Sequence, residues 1–492
     1  MPTTLVATPR FGEQCYGHSS CSREIKKMPD NLMHDKLVWS REVANVPLPP
    51  LVKGLPILGS GLELASDQIG FFVKQYHEFG AIFRVQALDH KFTVIAGTEA
   101  NQFVNQVGTE FLSGRDFWQE FAKELGVKDL LVSLDGDRHQ QQRRLLQSGY
   151  SRNAIVHKFL ETIQLISDLT TDLRSPDLRS PFRLQVLPFF QKIVCEQLGM
   201  LLADCSPSDY CDDLVKFLNI ALTVTVTQQS PAFLLWKPSY KRSRQRVLEL
   251  ARTVIAKHRH SQVKHEKPNL IDDLIADSQK VHPQLSEAEL IAAAIGPYLA
   301  GIDTVANTCA FMLYALLKAP EVMAKVQQEV DLFFVNDIPN AEGLRGMSAL
   351  HGTAMETLRM YPVAFAIQRY AIADFAFKGC RVNAGTHVIV ATTVPHFLPQ
   401  FFPNPDCFDI DRFHPPRNEH KQNGAFAPYG VGAHLCLGSG LAEIQIMLTM
   451  ATLLHQFEFA LEYPNYKVQP VSNPALSTGT KFYVHVQKRK FS

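Results

Sequence analysis

The loop APYGVGAHLCLGSG, residues 427–440, surrounds one cysteine, Cys436, with glycines. Gly430 and Gly432 can adopt backbone angles that are closed to other residues, and Gly438 allows a second backbone to approach closely. The apolar segment after Cys436 predicts a helix, whose free N–H groups and positive dipole end would favour a thiolate over a thiol. These residue types therefore suit an anionic sulfur ligand to iron.

Three other interpretations of Cys436 stay open at this point. A single cysteine without a partner nearby in sequence is more often a small buried apolar residue than a ligand. His434 and Cys436 form a poor zinc pair, because zinc sites usually show a second ligand pair. Nucleophilic catalysis would need a general base, and the sequence singles out none.

Two predicted helices place charged or donor side chains on one face. ETLR holds Glu356 and Arg359 three residues apart, and DGDRHQQQRR holds His139 and Arg143 four residues apart. Either spacing brings the two side chains together on a helix surface. Taken alone, such pairs are usually solvated surface contacts.

The segment AGIDT, residues 300–304, is predicted to distort a long helix. Gly301 weakens the helix, and Pro297 removes a backbone N–H one turn earlier. Thr304 can return its hydroxyl to a preceding carbonyl, which also bends helices. We therefore expect a widened turn beside Asp303.

The composition of the chain excludes several classes of protein. Lys and Arg number 49 against 48 Asp and Glu in 492 residues, so no net field favours nucleic acid. The nine cysteines form no CxxC pair and no dense framework, which favours a reducing compartment. The N-terminal segment lacks a signal-peptide apolar region and the roughly 18 apolar residues of a membrane span. We expect a soluble, cytoplasmic protein with no transmembrane anchor and no nucleic-acid partner.

The pattern along the chain predicts a mainly α protein with small β-sheets. Residues 1–45 are polar and weakly patterned, as in a partly disordered extension, and residues 46–492 are expected to form one large domain. Prolines at 47, 49, 50 and 56 forbid a helix where that domain starts. The predicted elements are paired strands in 81–97, helices in most of 100–360, strands in 370–395 around a turn at 383–387, and a strand in 481–489.

The segment YGVGAHLCLG resembles the haem-binding loop of the cytochrome P-450 superfamily, whose pattern is aromatic-Gly-x-Gly-x-basic-x-Cys-x-Gly. The six matching positions are Tyr429, Gly430, Gly432, His434, Cys436 and Gly438. A match at all six positions is a specific signal. The family usually has Phe where Tyr429 stands and Arg where His434 stands, so sulfur shielding and contact with a haem carboxylate would differ here.

The other motifs resemble those of the same family, in its order, from about residue 47 to the C-terminus. Glu356 and Arg359 are followed by YP, and with Arg412 of FDIDRF they resemble a buried, structural triad. AGIDT resembles the oxygen-binding signature, in which Asp303 and Thr304 would relay protons during catalysis. The resemblance thus covers nearly the whole chain.

The resemblance implies a cytochrome P-450 fold of the soluble bacterial type that binds haem b, iron protoporphyrin IX. The haem would lie between the long central helix and the helix after Cys436, with Cys436 as the axial ligand of the iron. The residues that would bind its two carboxylates are His139, Arg143, Arg369 and His434.

The implied reaction is monooxygenation, by hydroxylation or epoxidation: one atom of dioxygen enters a C–H or C=C bond, and the other leaves as water. The electrons would come from a separate donor, such as a ferredoxin or flavodoxin with its reductase. The alternatives are a haem-thiolate peroxygenase or isomerase and a non-catalytic haem-binding protein. Asp303 and Thr304 argue against both, because neither needs a proton relay.

Segments that line the substrate pocket in the family are mostly apolar in this sequence. They are residues 111–121, 230–236, 363–367 and 473–478. This composition indicates a lipophilic substrate, and ordinary core is the alternative. Residues 233–236 could make a peripheral membrane contact, but so short an apolar run is expected to pack inward.

Overall fold

The structure is a computed structural model that describes residues 38–174, 181–260, 268–335, 338–472 and 474–489. The chain divides into two compact units, and each unit is built from two separate stretches of sequence. The first unit comprises the described part of Met1–Ser113 together with Phe365–Leu435, and the second comprises Gly114–Ala364 and Cys436–Ser492.

The α-helices of the described residues are α1 Gly61–Ser66, α2 Gln68–Phe79, α3 Thr98–Phe111, α4 Arg115–Glu124, α5 Gly136–Gln147, α6 Arg152–His157, α7 Phe159–Leu169, α8 Val186–Ala203, α9 Cys211–Thr225, α10 Pro238–His260, α11 Leu270–Ser278, α12 Glu287–Lys318, α13 Pro320–Val335, α14 Ala341–Gly346, α15 Ser348–Met360 and α16 Ser439–Gln456. The β-strands are β1 Trp39–Ser40, β2 Ile82–Ala87, β3 His90–Ala96, β4 Leu112–Ser113, β5 Phe182–Gln185, β6 Ile367–Ala371, β7 Phe375–Phe377, β8 Cys380–Val382, β9 His387–Ala391, β10 Phe457–Leu461, β11 Val471–Ser472, β12 Leu476–Ser477 and β13 Tyr483–Lys488.

The first unit contains a five-stranded sheet in the order β2-β3-β9-β6-β4 and a three-stranded sheet in the order β1-β7-β8. Strands β2 and β3 form an antiparallel hairpin, whereas β3 pairs with β9 in parallel. Aromatic rings of α3 pack on the smaller sheet: the ring centroids of Phe103 and Phe111 each lie 5.2 Å from that of Phe375. The ring of Trp39 of β1 packs against that of Phe111 at a tilt of 59°, with the centroids 5.6 Å apart. This packing ties β1 to α3 through apolar burial.

The second unit is helical and is organised around α12. A capping box begins this helix, because Ser286 accepts from the backbone N–H of Glu289 while Glu289 accepts from the backbone N–H of Ser286. Residues 305–316 are all buried, as expected of a helix that is apolar on every face. Helices α8, α10 and α16 pack against α12, and small antiparallel sheets, β10-β13-β5 and β11-β12, complete the unit.

Most elements predicted from the sequence are confirmed. The structure has the hairpin in 81–97, helices through most of 100–360, the strand at the end of the chain and the helix after Cys436. The mainly α fold with small sheets is therefore confirmed. Most of the predicted extension lies outside the described residues, but its last part contains β1, which pairs with β7.

Two features of the second unit differ from expectation. Helix α12 continues as an α-helix through residues 297–304, so the predicted widened turn does not interrupt it. Cys195 of α8 and Cys211 at the start of α9 form a disulfide, which the scattered cysteines did not predict. Their separation of 16 residues has no motif that marks it in the sequence.

Two described helices, Val186–Ala203 and Glu287–Lys318, have the length and apolar composition that a bilayer crossing requires. In each, 72% of the most apolar window is buried inside the protein. Core helices of soluble proteins meet the same two criteria.

Candidate functional site

The glycines before Cys436 belong to the first unit, where two of them take left-handed backbone angles. Gly430 and Gly432 both have φ of +77°, and Gly432 begins a short 3-10 helix, Gly432–His434. The backbone N–H of Gly432 donates to Oδ1 of Asn105 on α3 at 2.6 Å. A Cβ on Gly432 would lie 2.8 Å from the carbonyl oxygen of Val104. Only glycine fits this close approach, as its position in the motif predicts.

Cys436 opens the second unit immediately before α16. Its side chain is surrounded by protein atoms and yet remains accessible to solvent. Burial raises the pKa of the Cys436 thiol, while the backbone N–H of Gly438 and the positive charge of Arg143 act in the opposite direction. The N–H of Gly438 is the donor expected at the start of a helix, and Arg143 of α5 adds a positive charge, so both would stabilise a thiolate.

Helix α5 brings two predicted haem-binding residues to the second unit. His139 is buried, and Arg143 follows one helical turn later and is half-buried. Tyr150, just after α5, was not predicted as a site residue. Burial and the neighbouring Cys436 sulfur raise the pKa of Tyr150. A Cβ on Gly438 would lie 3.4 Å from its ring.

Asp303 and Thr304 lie on α12, and each makes a defined hydrogen bond. Gln191 of α8 donates from Nε2 to Oδ1 of Asp303 at 2.7 Å. Burial raises the pKa of Asp303, and this hydrogen bond lowers it, with burial the larger effect. Thr304 donates from its hydroxyl to the carbonyl oxygen of Ala300 at 2.8 Å, as its sequence position predicted.

Asn307 connects Asp303 to another predicted pocket segment. Its amide donates to the backbone carbonyl of Asp303 at 2.9 Å, and its Oδ1 accepts from the backbone N–H of Thr478 at 3.3 Å. The backbone N–H of Leu476 donates in turn to the carbonyl of Val363 at 3.1 Å. Two of the four apolar segments predicted from the sequence thus meet beside α12.

Glu356 and Arg359 form a fully buried ion pair on α15. Two guanidinium nitrogens of Arg359 donate to the two carboxylate oxygens of Glu356 at 2.7 and 2.8 Å. Both side chains are 0% exposed. This pair is therefore a buried ion pair and not the solvated surface contact that is usual for such spacing.

The remaining predicted site residues belong to the first unit. Arg412 is buried and donates to Oε2 of Glu419 at 2.9 Å and to the carbonyl of Pro403 at 2.6 Å. Arg369 lies on β6, where it is half-buried. Tyr429 and His434 are also half-buried.

The prediction that residues 233–236 pack inward is wrong for two side chains. They belong to the 3-10 helix Ala232–Trp236, in which Phe233 is 52% and Trp236 is 71% exposed. A 3-10 helix has three residues per turn, so positions 233 and 236 share one face. Leu234 and Leu235 occupy the other directions and are half-buried.

The second unit contains groups that fit a thiolate-ligated haem. The accessible sulfur of Cys436 has an N–H donor and a guanidinium beside it, and Gly438 leaves a space that a Cβ would fill. No cluster of His, Cys, Asp and Glu suited to a bare metal ion occurs among the described residues, so the zinc interpretation of His434 gains no support.

Comparison with known proteins identifies the family. A sequence model of cytochrome P450 matches residues 49–485. The sterol 14alpha-demethylase of Mycolicibacterium vanbaalenii is 32% identical over 199 residues, 40% of this chain and 44% of that protein. The cyclooctat-9-en-7-ol 5-monooxygenase of Streptomyces melanosporofaciens is 30% identical over 44% of this chain and 46% of its own length.

These two matches cover less than half of each relative. A longer match is to a cytochrome P450 of Mycobacterium tuberculosis, which is 25% identical over 390 residues. This match spans 77% of the present chain and 88% of the relative. The family model alone spans well over half of the chain. The protein described here is therefore a member of the cytochrome P450 family.

Proposed function

We propose that this protein is a haem-thiolate monooxygenase that inserts one atom of dioxygen into a lipophilic organic substrate by hydroxylation or epoxidation. The observation that carries this proposal is the accessible sulfur of Cys436, with the Gly438 N–H and Arg143 beside it. Members of the cytochrome P450 family bind haem, iron protoporphyrin IX. When bound, haem supplies the activation of dioxygen.

In this proposal Cys436 is the axial ligand, and the protein around it tunes the sulfur. The N–H of Gly438 and the charge of Arg143 favour the anionic form, which is the form that ligates iron. His139 and Arg143, one turn apart on α5, would pair with haem carboxylates, which are costly to bury without partners. Arg369 and His434 are proposed for the same role.

Asp303 and Thr304 are proposed to hold and move protons. Burial raises the pKa of Asp303, which brings this carboxyl closer to the range where a group can both give and take a proton. The hydroxyl of Thr304, one residue along α12, can donate or accept. A non-catalytic haem-binding protein would have no use for this pair.

The proposed substrate is lipophilic because two mostly apolar segments meet beside the helix that holds the acid-alcohol pair. Val363 and Leu476 are buried, and their segments are joined by a backbone hydrogen bond close to Asn307 of α12. A few hydroxyl groups among apolar side chains are typical of pockets for small organic molecules. Two relatives are named for a sterol and for cyclooctat-9-en-7-ol, which are both alcohols.

Electrons are proposed to come from a separate donor, a ferredoxin or flavodoxin with its reductase. Purified protein should turn over with one of these pairs, NAD(P)H and dioxygen. Transfer through a docked partner would depend on ionic strength, because complementary charges steer such encounters.

The deciding measurement is the absorption spectrum of the reduced, carbon monoxide-treated holoprotein. We expect the red-shifted band of a thiolate-ligated haem, which a histidine-ligated haem does not give. Product formation should then require reductant and dioxygen together. Product from peroxide alone would favour the peroxygenase, and no substrate-dependent electron consumption with any donor would favour the haem-binding protein.

A further inference from the structure

The hydrogen-bond partner of the Asp303 carboxyl is a neutral side chain. Several other half-buried or buried carboxylates of this unit are held by cations, as Asp129 is by Arg115 and Arg138. Asp303 is instead held by the neutral amide of Gln191, whose Nε2 lies 2.7 Å from its Oδ1. Gln191 is on α8, which packs along α12.

A neutral amide can serve both protonation states of a carboxyl group. Its NH₂ donates to an ionised carboxylate, and its carbonyl oxygen accepts from a protonated one after half a turn about the last side-chain bond. A cation at this position would hold the carboxyl ionised, and an apolar side chain would hold it protonated. An amide partner therefore allows the carboxyl group both to bind and to release a proton.

The other groups around Asp303 do not fix its carboxyl in one protonation state. On α8, the charge of Lys192 acts on Glu196, where it opposes the rise in pKa that burial causes. On α12, the amide of Asn307 engages the backbone carbonyl of Asp303 and not its carboxyl. Burial and the Gln191 bond are the effects that set the pKa of Asp303, with no charged group among the described residues adding to them.

We propose that Gln191 is a positioning residue whose side-chain amide holds the Asp303 carboxyl in either protonation state. Asp303 can then release a proton toward the active site and take up another one before the next transfer. The released proton passes toward the Thr304 hydroxyl on the same helix turn, and the replacement comes from water at the half-buried face of Asp303. This inference rests on the proposed monooxygenase function.

Two substitutions pull the carboxyl in opposite directions. Gln191→Met keeps the length of the side chain but removes both hydrogen-bonding groups, so the Asp303 titration midpoint should rise in pH, to about a tenfold lower proton concentration. Gln191→Lys supplies a cation, so the midpoint should fall by at least as much. Infrared titration of the full-length protein, with the carboxyl band assigned by its loss in Asp303→Asn, measures both shifts.

Activity supplies the second readout. Both Gln191 variants should lower product formed per electron, while haem content and substrate affinity stay at the wild-type level. In an Asp303→Asn background, Gln191→Met should have no further effect, since Gln191 acts through Asp303. The matched control is Gln164→Met, which removes a surface Gln–Asp hydrogen bond of the same length, from Gln164 to Asp168.

An unmoved Asp303 midpoint in both Gln191 variants would overturn the proposal. So would a loss of product per electron in Gln191→Met that persists fully in the Asp303→Asn background, since the effect would then be structural. Failure of the monooxygenase function would be distinct: wild-type holoprotein would lack the red-shifted carbon monoxide band or product. The infrared titration would still report on the contact between Gln191 and Asp303 in that case.

Discussion

At the scale of single residues, the proposed chemistry depends on the sulfur of Cys436 and the hydroxyl of Thr304. The sulfur of Cys436 has the N–H of Gly438 and the guanidinium of Arg143 beside it. Cys309, by contrast, is buried in α12, and burial alone raises its pKa. The N–H of Gly438 and the guanidinium of Arg143, and not the cysteine itself, would make Cys436 a suitable iron ligand.

Replacing Cys436 by alanine should abolish both the red-shifted carbon monoxide band and all product formation. The reason is that haem would lose its sulfur ligand while α16, which follows Cys436, is unchanged. Spectroscopy of the reduced protein and a product assay measure the two effects. Cys205→Ala, which removes a half-buried thiol elsewhere in the second unit, should retain both. Normal turnover by Cys436→Ala would refute the ligand assignment.

Thr304→Ala should bind haem and substrate normally and consume electrons, yet form at least tenfold less product per electron. General acid–base groups typically contribute about 10²- to 10⁴-fold, so this loss is modest for a proton-handling hydroxyl. Helix propensity favours alanine, so folding should not suffer. Peroxide release and product yield are measured together.

The control for Thr304 lies one turn along the same helix. Thr308 donates to the carbonyl of Thr304 at 2.8 Å, the same type of bond that Thr304 makes to Ala300. Thr308→Ala should leave product per electron unchanged. Equal losses in both variants would mean that the helix, and not the Thr304 hydroxyl, is responsible. Asp303→Asn should slow turnover.

At the scale of elements, helix α15 allows the effect of burial on an ion pair to be measured. Glu356 and Arg359 are an i,i+3 pair with no exposed surface, so removing one side chain takes the opposite charge of this pair away from a buried group. Such a loss typically costs about 3–5 kcal/mol. We expect Glu356→Ala to lower the free energy of unfolding by that amount and to yield little holoprotein, measured by urea unfolding and haem content.

A surface pair of the same spacing provides the comparison. Lys123 and Glu120 on α4 are i,i+3 partners with about 60% of each side chain exposed. Glu120→Ala should cost no more than about 1 kcal/mol. Similar costs for Glu120→Ala and Glu356→Ala would show that burial does not govern the α15 pair.

Two glycines in the loop before Cys436 allow the cost of a left-handed backbone angle to be measured separately from the cost of a steric clash. Gly430 and Gly432 share φ of +77°, but only Gly432 faces a backbone oxygen, 2.8 Å from where a Cβ would be. Gly430→Ala should cost about 1–2 kcal/mol from the left-handed angle. Gly432→Ala should cost clearly more and reduce haem retention. Equal unfolding free energies for the two variants would contradict the close approach.

Local patterns predicted the elements well because each depends on residues that are near in sequence. The hairpin of β2 and β3, the start of α16 and the hydroxyl bond of Thr304 all arise from neighbours within a few residues. The inward packing of Phe233 was a wrong expectation, because hydrophobicity does not reveal which face of a short 3-10 helix meets the protein.

Contacts between distant residues could not be predicted in the same way. Gln191 precedes Asp303 by 112 residues, and a glutamine in an apolar helix has no motif to distinguish it. Its only signal is that a polar side chain amid apolar neighbours needs a partner. Tyr150 beside Cys436 has the same explanation, since only the packing of helices brings the two together.

At the scale of the whole molecule, acid should unfold the protein through its paired carboxylates. Burial alone would raise the pKa of Asp331, but hydrogen bonds from Arg489 and His455 hold it below its ordinary value. A depressed folded-state pKa stabilises the protein above the unfolded value of about 3.9, and this stability is lost as pH falls through the folded pKa.

The effect of Asp331 is measurable from the pH dependence of unfolding. Asp331→Asn should be less stable than wild type at pH 7, and the difference in free energy of unfolding should shrink as pH falls from about 5 to 2. Urea titrations followed by circular dichroism at each pH measure it. Asp406→Asn, at an exposed loop position, is the control. A difference that is constant across this range would exclude Asp331 as a source of acid sensitivity.

The order of strands in the five-stranded sheet also affects the risk of aggregation during synthesis of the chain. Strand β3 leaves the ribosome early, but its parallel partner β9 begins only at His387. At about 5–20 residues per second, the apolar edge of β3 waits for tens of seconds without its neighbour. An unpaired edge of this kind is a template for intermolecular pairing. Yield in a host cell should therefore depend on chaperone capacity and synthesis rate more than on the stability of the finished protein.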